Sequence, residues 1–489
     1  MSNPLSNLEP KSVFHWFGEL EKYPRPSKKE TKAVAFIEKW ASEHHIALRK
    51  DKRGNLLLSK PATQGMQNKQ SVCLQGHIDM VCVAEKGHKI DFDKDPIDVY
   101  VDGDWIKARG TTLGGDDGIA VAMGMALLAS TDIAHPDLEL LLTLDEETGL
   151  TGASGLGTDL IKSKLLINID SEDEGIFTIG CAGGMNTIAH YPYERRIVPQ
   201  NNVGFILEVT GLKGGHSGIE INAGRANANK ILTRLLWVAT EKFKVFLQSF
   251  DGGSKHNAIP SEARAILAVP TRKVDGLKKY VETMNDIIKK EYAVVEPDLR
   301  IHLTTTAVPK YALSKTIQKK MLASFCVVPH GVLRMSANPD TKELVQSSTN
   351  FAIVETISDK EIMVLTSQRS SVGTEKLDIV EMVKTAFLLG GAKVETTDGY
   401  PAWEPRDKSP LQDLVKSVYK KVSGKEAIID TIHAGLECGL IGDKYEGMDM
   451  ISIGPDLKDV HSPDEKLSIS STKRTWEFLV ELLKHIPNK

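Results

Sequence analysis

The sequence predicts an α/β protein in which a mixed, largely parallel sheet flanked by helices is interrupted by an inserted α+β domain of two similar halves. Apolar runs of strand length at Val72–Gly76, Leu138–Leu144 and Leu165–Ile169 lack the alternation of a half-exposed strand, so they read as strands buried on both faces. Segments with helical periodicity separate them. From about Pro192 the texture changes to two successive strand and helix series. At 489 residues the chain exceeds one ordinary core, and it divides as 1–187, 188–396 and 397–489, with the outer segments forming one domain. Tyr191-Pro192-Tyr193 marks the way into the insertion and Thr397-Asp398-Gly399-Tyr400-Pro401 the way out.

In chain order, residues 9–24 and 28–45 read as amphipathic helices, the second opened by Ser27 with Glu30 three positions on, the spacing of a capping box. Strands 55–59 and 72–76 follow, then a polar hairpin region over 91–107. The glycine-rich stretch Arg109 to Gly118 leads into 119–129, whose residues are nearly all small or apolar, as in a buried helix. Asp116 and Asp117 thus stand at a helix N-terminus, where the dipole favours carboxylates. Leucine-rich strand 138–144 runs into Asp145-Glu146-Glu147, and strand 165–169 into Asp170, with Glu172 to Glu174 as a solvated loop. In the insertion, 203–210, 223–240, 263–269 and 274–290 alternate strand and helix. Strands 300–305, 345–356 and 361–368 and helix 377–389 form the second series. Helix 410–423, strands 427–431 and 448–453, a loop carrying His461 and helix 471–485 return to the first domain.

Composition narrows the function. Hydrophobic content of 41% and charged content of 26% fit a soluble globular protein, and a net charge of −4 offers no basic field for nucleic acid or an anionic membrane. Five scattered cysteines without CxxC spacing suggest reduced thiols and no thiolate zinc site. The sequence shows neither a secretory leader nor a run of membrane-spanning length, so a cytoplasmic location and small-molecule partners are expected.

The chemistry collects at strand ends. His77 and Asp79, two apart, share a side of the chain where a strand finishes, so the carboxylate can orient the imidazole for a metal. His-x-Asp alone reads first as a core histidine. What raises its weight is that Asp116, Glu146, Glu147, Asp170 and His461 follow other strands, the edge where ligand sites form in open α/β sheets. His77, Asp116, Glu147, Asp170 and His461 make a sulfur-free set suited to Zn²⁺, Mn²⁺ or Co²⁺, enough for two metals if one carboxylate bridges. Such a pair can generate a hydroxide between them and polarise a carbonyl. Of the adjacent Glu146 and Glu147, one can bind metal while the other moves the proton; spacing does not say which.

Gly76-His77-Ile78-Asp79, Gly114 to Gly118, Asp145 to Gly149, Asn168 to Ser171, Gly214-Gly215-His216-Ser217-Gly218 and His461-Ser462-Pro463-Asp464 resemble the motifs of the M20 metallopeptidases. Cys181 to Gly184, His256 to Pro260 and His433 to Gly439 resemble its dipeptidase branch, and the likeness runs along nearly the whole chain. The resemblance implies a zinc-peptidase-like catalytic domain with 188–396 as a lid. It also implies two divalent metals, zinc first and manganese or cobalt as alternatives, bridged by Asp116. His77 and Asp170 would complete one site, and Glu147 and His461 the other. Asp79 would orient His77, Glu146 would be the general base, and the Asp116–Asp117 peptide would be cis. His216 would stabilise the oxyanion, Asn257 and Arg369 would hold the substrate carboxylate, and Gly435 would line the pocket. Where relatives often carry Asn, this chain has Asp117.

The activity implied is hydrolysis of unblocked dipeptides, Xaa-His included. An N-acyl-amino-acid deacylase or carboxypeptidase is the alternative on the same scaffold, and a non-catalytic binding protein is disfavoured by the complete ligand set. A doubled lid either imitates a partner subunit within one chain or adds a homodimer surface.

Overall fold

Strand Val72–His77 has all six residues buried, the condition its unbroken apolar run requires. The computed structural model describes residues 4–337, 341–397 and 399–489, so Met1 to Asn3, and Asp398 of the outgoing signal, fall outside the described residues. The described residues form two units: those within 4–181, 403–431 and 436–489, and those within 182–337, 341–397, 399–402 and 432–435.

The first unit is built on an eight-stranded sheet in the order Ala47–Lys50, Leu56–Lys60, Leu138–Thr143, Val72–His77, Leu165–Asn168, Asp449–Ser452, Ile176–Cys181, Ile428–Ile432. The four strands from Leu138–Thr143 to Asp449–Ser452 are parallel, while Ala47–Lys50 and Leu56–Lys60 on one side and Ile176–Cys181 on the other pair antiparallel. In this register His77 lies beside Thr143, and Gln75 beside Asn168, itself beside Ser452. The segments leaving these strands, with Asp79, Asp145 to Glu147, Asp170 and His461, therefore start from one edge of the sheet. Helix Gly115–Ala129 is almost wholly buried, as its uniformly apolar sequence predicts. It approaches the end of Val72–His77 closely, since a Cβ on Gly76 would fall 2.4 Å from an Asp117 oxygen and 2.6 Å from the Ala120 Cβ; only glycine fits there. Among the described residues, no helix is long and apolar enough to cross a membrane.

Two expectations change at the N-terminus. The second helix begins at Thr31, and no side chain caps it. Ser27 donates instead to Asp79 Oδ2 at 2.7 Å, and Glu30 Oε1 accepts the Asp145 amide at 3.0 Å. A buried charged acceptor holds the hydroxyl more strongly than a helix amide would.

The second unit is a nine-stranded sheet whose main path runs Arg300–Thr306, Asn202–Thr210, Ala263–Pro270, Phe246–Gly252, Val345–Ser358, Glu361–Ser370, Gly183–Pro192, Lys393–Thr396. Each half is a β-α-β-β-α-β unit. In one half, Asn202–Thr210, Phe246–Gly252, Ala263–Pro270 and Arg300–Thr306 enclose helices Ala228–Phe243 and Val274–Glu291. In the other, Gly183–Pro192, Val345–Ser358, Glu361–Ser370 and Lys393–Thr396 enclose helices Lys315–Val327 and Gly373–Leu389. The halves join where Gly252 pairs with Val354, their strand orders mirroring each other. The simple strand and helix alternation expected here missed Phe246–Gly252, whose bulge between Leu247 and Ser249 disrupts the period-two pattern, and also Gly183–Pro192 and Lys315–Val327.

Candidate metal centre

In the first unit Asp116 stands between two imidazoles, Oδ1 at 3.0 Å from His77 Nε2 and Oδ2 at 3.0 Å from His461 Nε2. Glu147 Oε1 lies 3.0 Å from the same His461 nitrogen, and Asp170 Oδ1 3.5 Å from His77 Nε2. Three overlapping groups, His77 with Asp116 and Asp170, Asp116 with Glu147 and His461, and His77 with Glu146 and Glu147, each gather their ligand atoms within 4.8 Å.

His461 reaches this cluster from the loop of a hairpin, between Leu457–Lys458 and Lys466–Ser468, and is itself left-handed at φ 61°. Asp116 and Asp117 depart from helical dihedrals within Gly115–Ala129, and the peptide between them is cis. Glu146 and Glu147 follow Asp145, left-handed at φ 52°, whose carboxylate accepts the Thr148 and Thr151 hydroxyls.

Asp79 is fully buried, and its carboxylate accepts the amides of Glu146 at 2.9 Å and Glu147 at 3.2 Å together with the Ser27 hydroxyl. His77 Nδ1 has the Asp79 carbonyl at 3.0 Å and the carboxylate at 3.5 Å. With Nδ1–H donating to that carbonyl, Nε2 is the nitrogen turned towards Asp116 and Asp170, and it is the one that would bind a metal on giving up its proton. Asp117 is buried, and its Oδ2 accepts the His77 amide at 3.2 Å.

The electrostatics express a shortage of positive charge. Burial pushes Glu146 well above the usual carboxylate range, with Asp170, Glu437 and Glu147 adding to it, and pushes Asp170 up to about 6. His461, hydrogen-bonded to Asp116 and Glu147, is pushed up to about 11. Burial opposes ionisation of Asp116, yet hydrogen bonds from His461 and His77 hold it below its ordinary range. Carboxylates crowded around two imidazoles, with one aspartate presenting an oxygen to each, fit hard or borderline divalent cations.

A second layer escaped the sequence reading. Glu465, four residues after His461, accepts four successive amides: Leu113 and Gly114 on Oε2, at 2.8 and 3.1 Å, and Gly115 and Asp116 on Oε1, at 2.8 and 3.3 Å. Its signal in the sequence was its place in the motif His461-Ser462-Pro463-Asp464-Glu465. Glu437, fully buried, accepts from Gln75 and Thr143 at 2.6 Å each.

The four residues assigned to substrate all belong to the second unit. His216 lies in a turn where Gly214 and Gly215 take φ of 68° and 135°, angles that glycine adopts without strain. Its Nδ1 accepts the Gly218 and Ile219 amides at 3.2 and 3.1 Å, so the proton resides on Nε2. Burial, with Arg369 nearby, pulls its pKa down and favours the neutral ring. The Asn257 carbonyl accepts the Ser217 amide at 2.8 Å. Arg369 is 6% exposed and donates through Nη1 to the Tyr400 hydroxyl at 2.8 Å, while its buried Nε has no hydrogen-bond partner among the described residues. Gly435 faces the same tyrosine, since a Cβ there would come 2.8 Å from the ring. Nothing in the sequence singled out Tyr400 as Arg369's partner.

Comparison with known proteins bears on both units. The family model for Peptidase family M20/M25/M40 matches residues 73–485. Over 486 residues, 99% of each chain, the sequence is 42% identical to the cytosol non-specific dipeptidase of Escherichia coli K12. The fold matches the crystal structure of aminoacylhistidine dipeptidase from Vibrio alginolyticus with a TM-score of 0.93 at 38% identity, covering 99% of this chain and 98% of that one. Aminopeptidase PepT from Bacillus cereus shares the fold at a TM-score of 0.57 and 15% identity, with 98% and 99% covered.

Proposed function

Because this chain belongs to peptidase family M20/M25/M40, we propose that it is a cytoplasmic dinuclear metallo-dipeptidase acting on unblocked dipeptides, Xaa-His among them. The observation that carries the metal assignment is Asp116, which offers one carboxylate oxygen to His77 and the other to His461. His77 and Asp170 would hold one cation, Glu147 and His461 the other, with zinc preferred and manganese or cobalt able to substitute. Two bound divalent cations supply an acidified water and polarise the scissile carbonyl. The names of two similar relatives, a cytosol non-specific dipeptidase and an aminoacylhistidine dipeptidase, support the substrate class.

Glu146 accepts the proton of the attacking water and delivers it to the leaving amine. Its burial, which raises its proton affinity, suits that shuttle near neutral pH. Asp79 keeps Glu146 and Glu147 in separate roles by binding both of their amides, and orients His77 through its carbonyl and carboxylate. His216 donates Nε2–H to the developing oxyanion. Arg369 and Asn257 hold the substrate's carboxylate, for which a guanidinium is the best-shaped partner, and Gly435 keeps the pocket wall free of a side chain.

Hydrolysis of Ala-His by the metal-loaded enzyme, beside N-acetyl amino acids, tests the proposal. Turnover of the dipeptide is expected. No dipeptide turnover with rapid N-acetyl cleavage rejects it in favour of a deacylase. Glu146→Gln is expected to keep its metal while kcat falls by roughly 10²–10⁴; intact activity would remove Glu146 from the base role.

A further inference from the structure

Residues 25–30 lie outside the family match, which begins at residue 73, yet they touch three loops of the candidate centre. Arg25, fully buried, donates through Nη2 to the Gly114 carbonyl at 2.6 Å, at the start of the turn that delivers Asp116. Its own carbonyl accepts the Met80 amide at 3.1 Å, and Pro26 bridges to Met80 in parallel register, just beyond His77 and Asp79. Ser27 donates to Asp79 Oδ2 at 2.7 Å, alongside the Glu147 amide that the same oxygen accepts. Glu30, 5% exposed, accepts two amides on Oε1: Lys28 of its own segment at 2.9 Å and Asp145, which opens the turn to Glu146 and Glu147, at 3.0 Å.

We infer that segment 25–30 is a positioning element of the hydrolytic centre, with Arg25, Ser27 and Glu30 each holding a different ligand-bearing loop. The inference rests on the proposed metal chemistry for its catalytic consequence, though not for the bonds themselves. None of the three reaches the reacting atoms; they act through Gly114, Asp79 and Asp145. Ser27 and Glu30 are the residues to test, because removing Arg25 would also strand its buried partner Glu21. A glutamine at position 30 retains the one oxygen that accepts both amides, and a threonine at position 27 retains the hydroxyl, so both should rescue what alanine loses.

The experiment uses full-length chain with Ser27→Ala, Ser27→Thr, Glu30→Ala and Glu30→Gln. Mn²⁺ titration of chelator-stripped protein, followed by electron paramagnetic resonance, is read beside kcat, KM and Tm. Each alanine variant is expected to weaken Mn²⁺ binding at least about fivefold and to lower kcat about tenfold or more, with KM within about threefold, the pattern of a misplaced reacting group. Ser27→Thr and Glu30→Gln should stay within about threefold of wild type on both readouts. Wild-type Mn²⁺ affinity and kcat in Ser27→Ala and Glu30→Ala would overturn the inference, as would conservative variants as damaged as the alanines. Should Glu30→Ala fail to fold, the Ser27 pair decides by the same criteria. If wild type binds Mn²⁺ but cleaves no dipeptide, the proposed function fails while the titration still judges the segment.

Discussion

Replacing Glu465 by glutamine separates a carboxylate that fastens a turn from one that merely neighbours a metal site. The native group takes two amides on each oxygen across Leu113 to Asp116. Glutamine keeps one acceptor and points an NH₂ group at the other two donors, leaving two buried N–H groups without partners. Each such orphan costs roughly 1–3 kcal/mol, so the expected loss is about 2–6 kcal/mol, a large share of the roughly 5–15 kcal/mol that holds a folded domain together. Of the six tryptophans only Trp237 belongs to the second unit, so tryptophan fluorescence during urea unfolding reports chiefly on the unit that contains Glu465. The midpoint should fall with little change in slope. Mn²⁺ affinity should fall with it, because the loosened turn carries Asp116. A loss below about 1 kcal/mol, with metal affinity intact, would refute the reasoning: the two contacts removed would then be contributing no more than one ordinary hydrogen bond.

Two further outcomes follow from the same geometry. Arg369→Ala should raise KM for a dipeptide by roughly 10- to 150-fold, the range for a charged hydrogen bond, and leave hydrolysis of the C-terminally amidated dipeptide at its wild-type level; equal loss on both substrates would make Arg369 a structural residue. Glu437, raised by burial from 4.5 to about 7, keeps its proton longer when folded than when unfolded. Its contribution is therefore full below pH 4.5 and is lost as pH rises towards 7. Glu437→Gln cannot ionise, so in chelator-treated protein its stability relative to wild type should increase by about 3 kcal/mol between pH 5 and pH 8. A constant or shrinking gap in calorimetry would count against the buried neutral carboxyl.

The parts of this fold that were legible in the sequence are those written in periodicity. Unbroken apolar runs announced the parallel strands, and parallel strands share a carboxyl edge, so His77, Asp116, Glu147, Asp170 and His461 could be gathered on paper before any distance was known. Phe246–Gly252 stayed hidden because its bulge scrambles the alternation, and Ser27 was misread because spacing alone favours a cap while a tertiary partner, the Asp79 carboxylate, takes the hydroxyl. Glu465 stood beside a candidate ligand without a role of its own. Hydrogen-bond direction has no period, so a layer made of it leaves no sequence pattern.

That layer follows one physical rule. Glu30, Asp79 and Glu465 are buried carboxylates that accept backbone amides from the loops carrying the ligands. Fixing a loop through its amides sets the position of its backbone whichever rotamers its side chains adopt, which suits ligands arriving from distant parts of the chain. The rule also tells the three acids apart. Glu30 binds its two amides with a single oxygen, so an amide side chain can replace it. Asp79 and Glu465 use both oxygens, so theirs cannot. Glutamine should therefore be tolerated at position 30 and damaging at position 465, and asparagine at position 79 should resemble the latter; a reversed order would mean that charge rather than acceptor geometry holds these loops.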